Sequence, residues 1–329
     1  MSPVSVTTLC IRATRPAMGC QFEIYLHGLS DSECTDAASD ALDEVERLEA
    51  QLSRYRPDSD ISRINAEAAS NWVGVEGRLF DLLERCIEIY RETDGCFDIA
   101  TGAITQLWQT HRQRRRVPSA FRIRTAVSRS GTRTVNLQPK TSSVRFSRSG
   151  IQLDLGAVGK GYAVDRVVSR LRRNGVADAL VNAGNSTLYA IGSSPGGSPW
   201  KIGLQNPVQP AQSLATIFLQ DSALSTSANT EQYFIHKGIR YGHIIVPSTG
   251  RPASEMASVS VLSPSAAISD AYATALFVMG WERAQSFCEE HPNLSALLAG
   301  RPAAGRSIQN GDAIHIALCN LDPHIVRVS

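Results

Sequence analysis

A segment near the middle of the chain combines a carboxylate, several glycines and a lysine. Residues 151–155 predict a strand that delivers Asp154 to a glycine-rich turn, and a helix is expected to begin near Lys160. Small residues let a ligand approach the backbone, and a helix N-terminus attracts anions such as pyrophosphate. The glycine spacing fits neither the dinucleotide-binding nor the Walker pattern. A tightly packed strand–turn–helix without a ligand is therefore an equally good interpretation.

A second candidate lies near the start of a helix that Ser269 is expected to cap. Asp270 and Thr274 are four residues apart, so their oxygens project from one face of that helix. One carboxylate, one hydroxyl and a backbone carbonyl suit Mg²⁺, a hard cation that takes few protein ligands beside phosphate. The residues alone favour a simpler alternative, in which Asp270 interacts with the helix dipole and Thr274 fills space.

The third candidate is His243, within a predicted strand at 241–246 that leads into an exposed turn at 247–252. A neutral imidazole can take a proton near pH 7. A single histidine at a strand end is more often structural, so both interpretations stay open. The other histidines show no metal-ligand spacing, and we expect them to be structural or on the surface; they are His27, His111, His236, His291, His315 and His324.

The bulk composition is that of a globular protein, with 43% hydrophobic and 19% charged residues among 329. The net charge of +2 does not indicate a polycation. The segment from His111 to Gly150 nevertheless contains no acidic residue and eleven basic ones, and we expect an exposed loop with short strands there. Its only aromatic residues are Phe121 and Phe146, which argues against nucleic-acid binding.

The cysteines and the N-terminal sequence indicate the cellular compartment in which the protein is expected. Seven cysteines without a C-x-x-C pair give no disulfide framework or zinc site and mildly favour a reducing compartment. No apolar run is long enough to cross a bilayer, and no apolar h-region precedes the first strand. We therefore expect a cytoplasmic protein without a transmembrane segment.

The pattern of elements predicts an α+β fold. A capping box at Ser30 and Glu33 precedes one amphipathic helix, and a second helix is expected over Arg78–Thr93. Most of the predicted strands follow one another with few helices between them. The helix after Ser269 is expected to run to about His291, with an interruption near Gly280. These strands cover 20–27, 179–182, 187–191, 200–204, 215–219, 241–246 and 257–262.

Several collinear motifs together resemble the FAD:protein FMN transferase family, also called ApbE-type. The resemblance covers about residues 14–300. Its main motifs are Met18-Gly19, LSRYRPDSDISRIN at 52–65, DGCFD at 94–98, LDLGAVGKGYAVD at 153–165, Ser225-Thr226-Ser227, the His243 strand and the Asp270 helix.

The resemblance implies one α+β domain over residues 1–329, with two lobes that enclose FAD in a cleft. It implies that Mg²⁺ is held by the Ala157 carbonyl, Asp270 and Thr274. The FAD contacts that it implies are Met18, Tyr55, Cys96, Phe97, Asp98, Asp154, Lys160 and Ile245.

The activity that the resemblance implies is Mg²⁺-dependent transfer of FMN from FAD to a Thr or Ser hydroxyl of an acceptor flavoprotein, with release of AMP. His243 is the candidate base for that hydroxyl. One alternative is an FAD pyrophosphatase, which would release AMP without an acceptor. A non-catalytic FAD-binding protein is the other alternative, because Val246 stands where the family usually has Asp.

Overall fold

The computed structural model describes residues 10–229, 232–301, 308–309 and 311–328. The helices are α1 (Asp31–Leu52), α2 (Asp60–Glu67), α3 (Gly77–Glu92), α4 (Gly102–Gln113), α5 (Ala120–Ser128), α6 (Gly159–Arg173), α7 (Ala266–Met279) and α8 (Trp281–Glu290). The strands are β1 (Ile11–Ala17), β2 (Cys20–His27), β3 (Val73–Gly74), β4 (Val135–Gln138), β5 (Ser143–Phe146), β6 (Asp178–Ala183), β7 (Thr187–Ile191), β8 (Trp200–Gln205), β9 (Ser213–Leu219), β10 (Ser222–Ala228), β11 (Tyr233–His236), β12 (Ile239–Gly242), β13 (Ile245–Val246), β14 (Arg251–Pro252), β15 (Met256–Ser263), β16 (Ser295–Gly300), β17 (His315–Cys319) and β18 (Val326–Val328).

An eight-stranded antiparallel sheet forms the centre, in the order β1-β2-β6-β7-β10-β15-β16-β17. Helices α1, α6 and α7 cover one face and share the main core with it. A three-stranded sheet, β18-β9-β8, covers the other face through a second apolar cluster. Because both faces are covered, β7 is buried at every position. The sequence predicted helices together with a run of strands that has few helices between its members, and the structure confirms this combination.

Helices α6 and α7 cross closely, and each caps the other. A Cβ atom on Gly161 would lie 2.2 Å from the carbonyl oxygen of Ala266, so only glycine permits this approach. Asp165 of α6 accepts hydrogen bonds from the Ala266 and Ala267 amides at the start of α7, at 2.7 and 3.0 Å. In return, Asp270 of α7 accepts one from the Gly161 amide in the first turn of α6, at 3.2 Å. These bonds satisfy amides that a helix cannot pair internally.

A smaller unit packs around Trp108, between α4, α5 and the β11–β12 hairpin. The indole ring stacks on Tyr241, with 5.9 Å between the ring centroids. Its Nε1 donates to the carbonyl of Gly250 at 2.7 Å, which ties α4 to the turn after β13. Separately, β3, β5 and β4 form a small sheet whose middle strand is β5.

The predicted strand at 151–155 is wrong, because this segment has no strand partner among the described residues. The side chain of Asn65 takes the place of a neighbouring strand. Its Oδ1 accepts from the Leu153 amide at 2.6 Å, and its Nδ2 donates to the Leu153 carbonyl at 3.0 Å. The segment is largely buried, and its remaining backbone bonds run to the chain before α4: Gln152 accepts from Gly102, and Asp154 donates to Ile99.

Several other boundaries differ from the prediction. Ser265, not Ser269, is the N-cap of α7. The interruption expected near Gly280 is confirmed, since α7 ends and α8 begins there. The basic segment 111–150 contains α5, whose N-cap Ser119 accepts from the Arg122 amide. The polar stretch after Ser53 becomes helical at α2. The capping box of Ser30 and Glu33 is confirmed.

No helix in the described residues is long and apolar enough to cross a membrane. The expected absence of an export signal concerns a segment that includes residues 1–9, which lie outside the described part of the chain.

We predict that Gly161→Ala lowers the free energy of unfolding by about 3 kcal/mol, because the new methyl group forces α6 and α7 apart. Gly77→Ala is the matched control, since a Cβ there meets no atom within 4 Å. That variant should change stability by less than about 1 kcal/mol. Urea unfolding followed by circular dichroism measures both, and equal effects would contradict the close contact of the helices.

Candidate functional site

The first turn of α6 leaves backbone groups free. Gly161 is the third residue of α6, so its amide has no acceptor within the helix, and the Ala157 carbonyl lies four residues before it. Here it donates to Asp270, so the Ala157 carbonyl accepts no hydrogen bond from the described residues. The amides of Ala157 and Lys160 likewise have no acceptor within the described part of the chain. The turn therefore offers one free carbonyl and two free amides beside a lysine.

Asp270 is buried, with only one of its two oxygens in use. Its Oδ2 accepts from Gly161, whereas no donor among the described residues reaches Oδ1. Burial raises the pKa of this carboxyl to about 6, and the opposing effects of Lys160 and the Gly161 amide are smaller. One turn further along α7, Thr274 Oγ1 lies 3.2 Å from the hydroxyl of Ser227.

The three predicted metal ligands fit a magnesium ion by their chemistry. The Ala157 carbonyl and Asp270 Oδ1 are oxygens that no donor among the described residues satisfies, and Thr274 adds a hydroxyl. Mg²⁺ takes such hard oxygens and keeps its remaining positions for water and phosphate. The described residues contain no cluster of three or more His, Cys, Asp or Glu that could hold a metal. A set with a single carboxylate is consistent with that finding.

Lys160 interacts with three separate parts of the candidate site. Its ammonium group donates to the hydroxyl of Ser186, in the turn between β6 and β7. Its charge also acts on the carboxyl of Asp270 and on the ring of His243. The lysine thus links the start of α6, the sheet and the segment that follows β12.

His243 lies between β12 and β13, and the residue is exposed although protein crowds its imidazole. Crowding by the surrounding protein, followed by the charges of Arg112 and Lys160, lowers its pKa to about 4. A hydrogen bond to the Gln232 backbone opposes this shift weakly. The ring is therefore neutral at pH 7 and able to accept a proton.

Asp154 is held in place by Arg54, in the segment between α1 and α2. Its Oδ2 pairs with the guanidinium of Arg54 at 3.0 Å, and its Oδ1 accepts from the Gly156 amide at 3.0 Å. Arg54 also donates to the Gly102 carbonyl at 3.1 Å and lies 5.0 Å from the ring centroid of Tyr55. Tyr55 is 68% exposed, so its ring face is available to a ligand.

The remaining predicted FAD contacts differ in whether their side chains are free to touch a ligand. Met18 lies in the β1–β2 turn with a φ of 50°, and its amide donates to Glu49. Phe97 is fully buried, and Cys96 is nearly so. The carboxylate of Asp98 is occupied by the Ala100 amide and by Thr132, while Ile245 packs against the Trp108 unit. Side-chain contact with a ligand is thus open to Met18 and Ile245 more than to the 96–98 segment.

Three residues of the site were not singled out from the sequence. Arg54 and Ser227 stand inside motifs that carry the resemblance, but no role was assigned to them. Ser186 could be found only from the fold, because it meets Lys160 across 26 positions. A cavity of about 550 Å³ beside α1 and α6 is lined by none of the predicted site residues.

Proteins of known family show where this chain belongs. The sequence model of the ApbE family matches residues 18–298. A Treponema pallidum protein named FAD:protein FMN transferase is 34% identical over 276 residues, which cover 78% of this chain and 76% of that protein. A Vibrio cholerae protein of the same name is 30% identical over 286 residues, covering 85% and 84%.

Solved structures agree with the sequence matches. The crystal structure of an ApbE protein from Thermotoga maritima matches with a TM-score of 0.82 at 28% identity, covering 91% of this chain and 97% of that one. The flavin transferase ApbE from Vibrio cholerae matches with a TM-score of 0.81 at 25% identity, covering 94% and 97%. The family resemblance predicted from the motifs is therefore confirmed, and the chain belongs to the ApbE family.

Proposed function

We propose that this chain is a Mg²⁺-dependent enzyme that transfers FMN from FAD to a Thr or Ser hydroxyl of an acceptor flavoprotein and releases AMP. The observation that carries the proposal is the pair of unsatisfied oxygens, Ala157 O and Asp270 Oδ1, beside Lys160 and two free amides. Such a site suits a magnesium pyrophosphate. The relatives named FAD:protein FMN transferase support FAD as the source of that pyrophosphate.

FAD binding is proposed in a cleft between the central sheet with its helices and the Trp108 unit. The exposed ring of Tyr55 and the partly buried side chains of Met18 and Ile245 are available to the flavin part. The amides at the start of α6 and the ammonium of Lys160 would hold the pyrophosphate. Backbone groups of residues 96–98 complete the proposed contacts, because their side chains are buried or already bonded.

The proposed reaction is a phosphoryl transfer. The acceptor oxygen attacks the phosphorus on the FMN side, the bond from that phosphorus to the bridging oxygen breaks, and AMP leaves with that oxygen. Neutral His243 takes the proton of the attacking hydroxyl. Lys160 offsets negative charge on the phosphates as the bond breaks. Mg²⁺, held by Ala157, Asp270 and Thr274, would supply further charge neutralisation.

Hydrolysis of FAD to FMN and AMP is the second candidate, because His243 is an exposed residue. Incubating the protein with FAD and Mg²⁺ separates the two reactions. AMP formation that depends on an added acceptor, with flavin bound covalently to that acceptor, supports transfer. Equal AMP formation without the acceptor supports hydrolysis. Tight FAD binding without any AMP identifies a binding protein.

We predict that Asp270→Asn lowers the rate of AMP release by about 10²-fold or more, because it removes the only carboxylate of the metal site. Asparagine keeps an oxygen for the Gly161 amide, so stability should change little. Asp165→Asn is the matched control. It weakens the cap of α7 and so lowers the free energy of unfolding, but it should leave the Mg²⁺ requirement unchanged. Full activity in excess EDTA would rule out the metal.

We predict that His243→Ala loses about 10²–10⁴-fold in single-turnover FMN transfer, the usual range of general-base catalysis. FAD affinity and melting temperature should stay close to those of the wild type, since the residue is exposed and binding depends on other residues. His315→Ala, at another exposed histidine, is the control. Transfer within about threefold of wild type would remove His243 from the mechanism.

The lowered pKa of His243 predicts an unusual pH dependence. A base contributes only in its neutral form, so its contribution is present above pH 4 and is lost as the pH falls through about 4. The ratio of wild-type to His243→Ala transfer rates should therefore stay constant from about pH 5.5 to 8. A ratio that falls by half near pH 6.5, as for an ordinary histidine of pKa about 6.5, would contradict this.

A further inference from the structure

Six arginines lie on α4, on α5, which contacts α4, and on the segment between them, and the proposed reaction uses none of their side chains. Five of these six side chains are exposed, and the sixth, Arg112, is half-buried. The arginine surface consists of Arg112, Arg114, Arg115, Arg116, Arg122 and Arg124.

This charge is not neutralised by the described part of the protein. None of the six arginines forms an ion pair with a described carboxylate, and no acidic residue occurs between positions 111 and 150. Arginines elsewhere behave differently: Arg15, Arg166 and Arg170 of the α1–α6 region all pair with acidic side chains. An unneutralised cluster of one sign attracts partners of the opposite sign over several ångströms.

The arginine surface adjoins the candidate base. Arg112 donates to the side chain of Gln232 at 3.1 Å, just before β11, and its charge reaches the His243 ring. The carbonyl of Arg115 lies 3.1 Å from a ring nitrogen of His236. On α5, Ile123 and Val127 lie against the turn that follows β13, since a Cβ at Gly250 would be 2.9 and 2.6 Å from their side chains. The basic helices and the His243 segment thus belong to one packed unit.

We infer that the arginine surface binds acidic side chains of the acceptor protein, on either side of the hydroxyl that receives FMN. This inference rests on the proposed function, because only a transferase needs a protein substrate beside His243. Guanidinium groups suit carboxylates, which they bind through two parallel hydrogen bonds. Nucleic acid fits the surface less well, since Phe121 is its only strongly exposed aromatic side chain among the residues of α4 and α5.

The test uses two synthetic peptides with a central threonine, one flanked by Asp and Glu and the other by Asn and Gln. Fluorescence anisotropy measures their binding to the wild type, to the triple variant Arg114→Gln, Arg115→Gln, Arg116→Gln, and to a control triple variant. The control changes three exposed arginines that also lack an ion pair with a described residue and lie outside the arginine surface. These are Arg91→Gln, Arg145→Gln and Arg173→Gln.

We predict that the wild type prefers the acidic peptide and that the surface variant binds it about tenfold more weakly, a difference of about 1.4 kcal/mol. The control variant should stay within about twofold, and added salt should weaken wild-type binding. In FMN transfer to the acidic peptide, the surface variant should show a raised KM with an unchanged kcat. Equal binding of both peptides, or an equal loss in the control variant, overturns the inference.

Two further measurements separate this inference from the proposed function. FAD should bind equally tightly to all three proteins without any peptide, because the arginine surface contacts only the acceptor. If the acidic peptide binds as predicted but no FMN is ever transferred, the proposed function fails while the acidic-peptide site stands. A single-stranded oligonucleotide that binds more tightly than the acidic peptide would overturn the inference in favour of nucleic acid.

Discussion

Two helices that cap each other hold the candidate site together. Asp165 completes the start of α7, and Asp270 completes the start of α6, with Gly161 allowing the backbones to meet. The sequence posed two alternatives for Asp270, a partner of a helix dipole or a metal ligand. The first alternative is wrong for α7 itself, because that helix begins at Ala266 and Asp270 lies beyond its first turn. One oxygen of Asp270 instead caps α6, and the other has no described donor. By taking the Gly161 amide, Asp270 also leaves the Ala157 carbonyl free.

Local patterns predicted much of the fold, and non-local contacts account for the errors. The capping box at Ser30 and the alternation along β2 depend on neighbouring residues, and both were found. The prediction of a strand at 151–155 is wrong, because the side chain of Asn65, far away in sequence, pairs with the amide and carbonyl of Leu153 where a strand would otherwise lie. Helix α5 was missed because arginines and prolines dominate its surroundings, although Ser119 is an ordinary N-cap.

The candidate site also divides into features that local patterns predict and features that depend on non-local contacts. Sequence reasoning named Lys160, Thr274 and Asp154 by residue type and motif, yet it named none of the partners that fix them. Those partners are 26, 47 and 100 positions away: Ser186, Ser227 and Arg54. Such pairs depend on which strand lies beside which helix, and that order follows from the central sheet rather than from any local pattern. Motif similarity therefore indicated the candidate site, and the fold showed which residues contact its members.

The distance along the chain between α6 and α7 has a consequence for synthesis of the protein. Gly161 and Asp270 are 109 positions apart, so a growing chain contains the start of α6 long before the residue that caps it. During that interval β10 also lacks its neighbour β15, which leaves a strand edge open to wrong pairing. Closing a loop of this length costs conformational entropy before the new contacts form. Assembly of the candidate site is thus a late event, and a chain that stops before α7 lacks both Asp270 and Thr274.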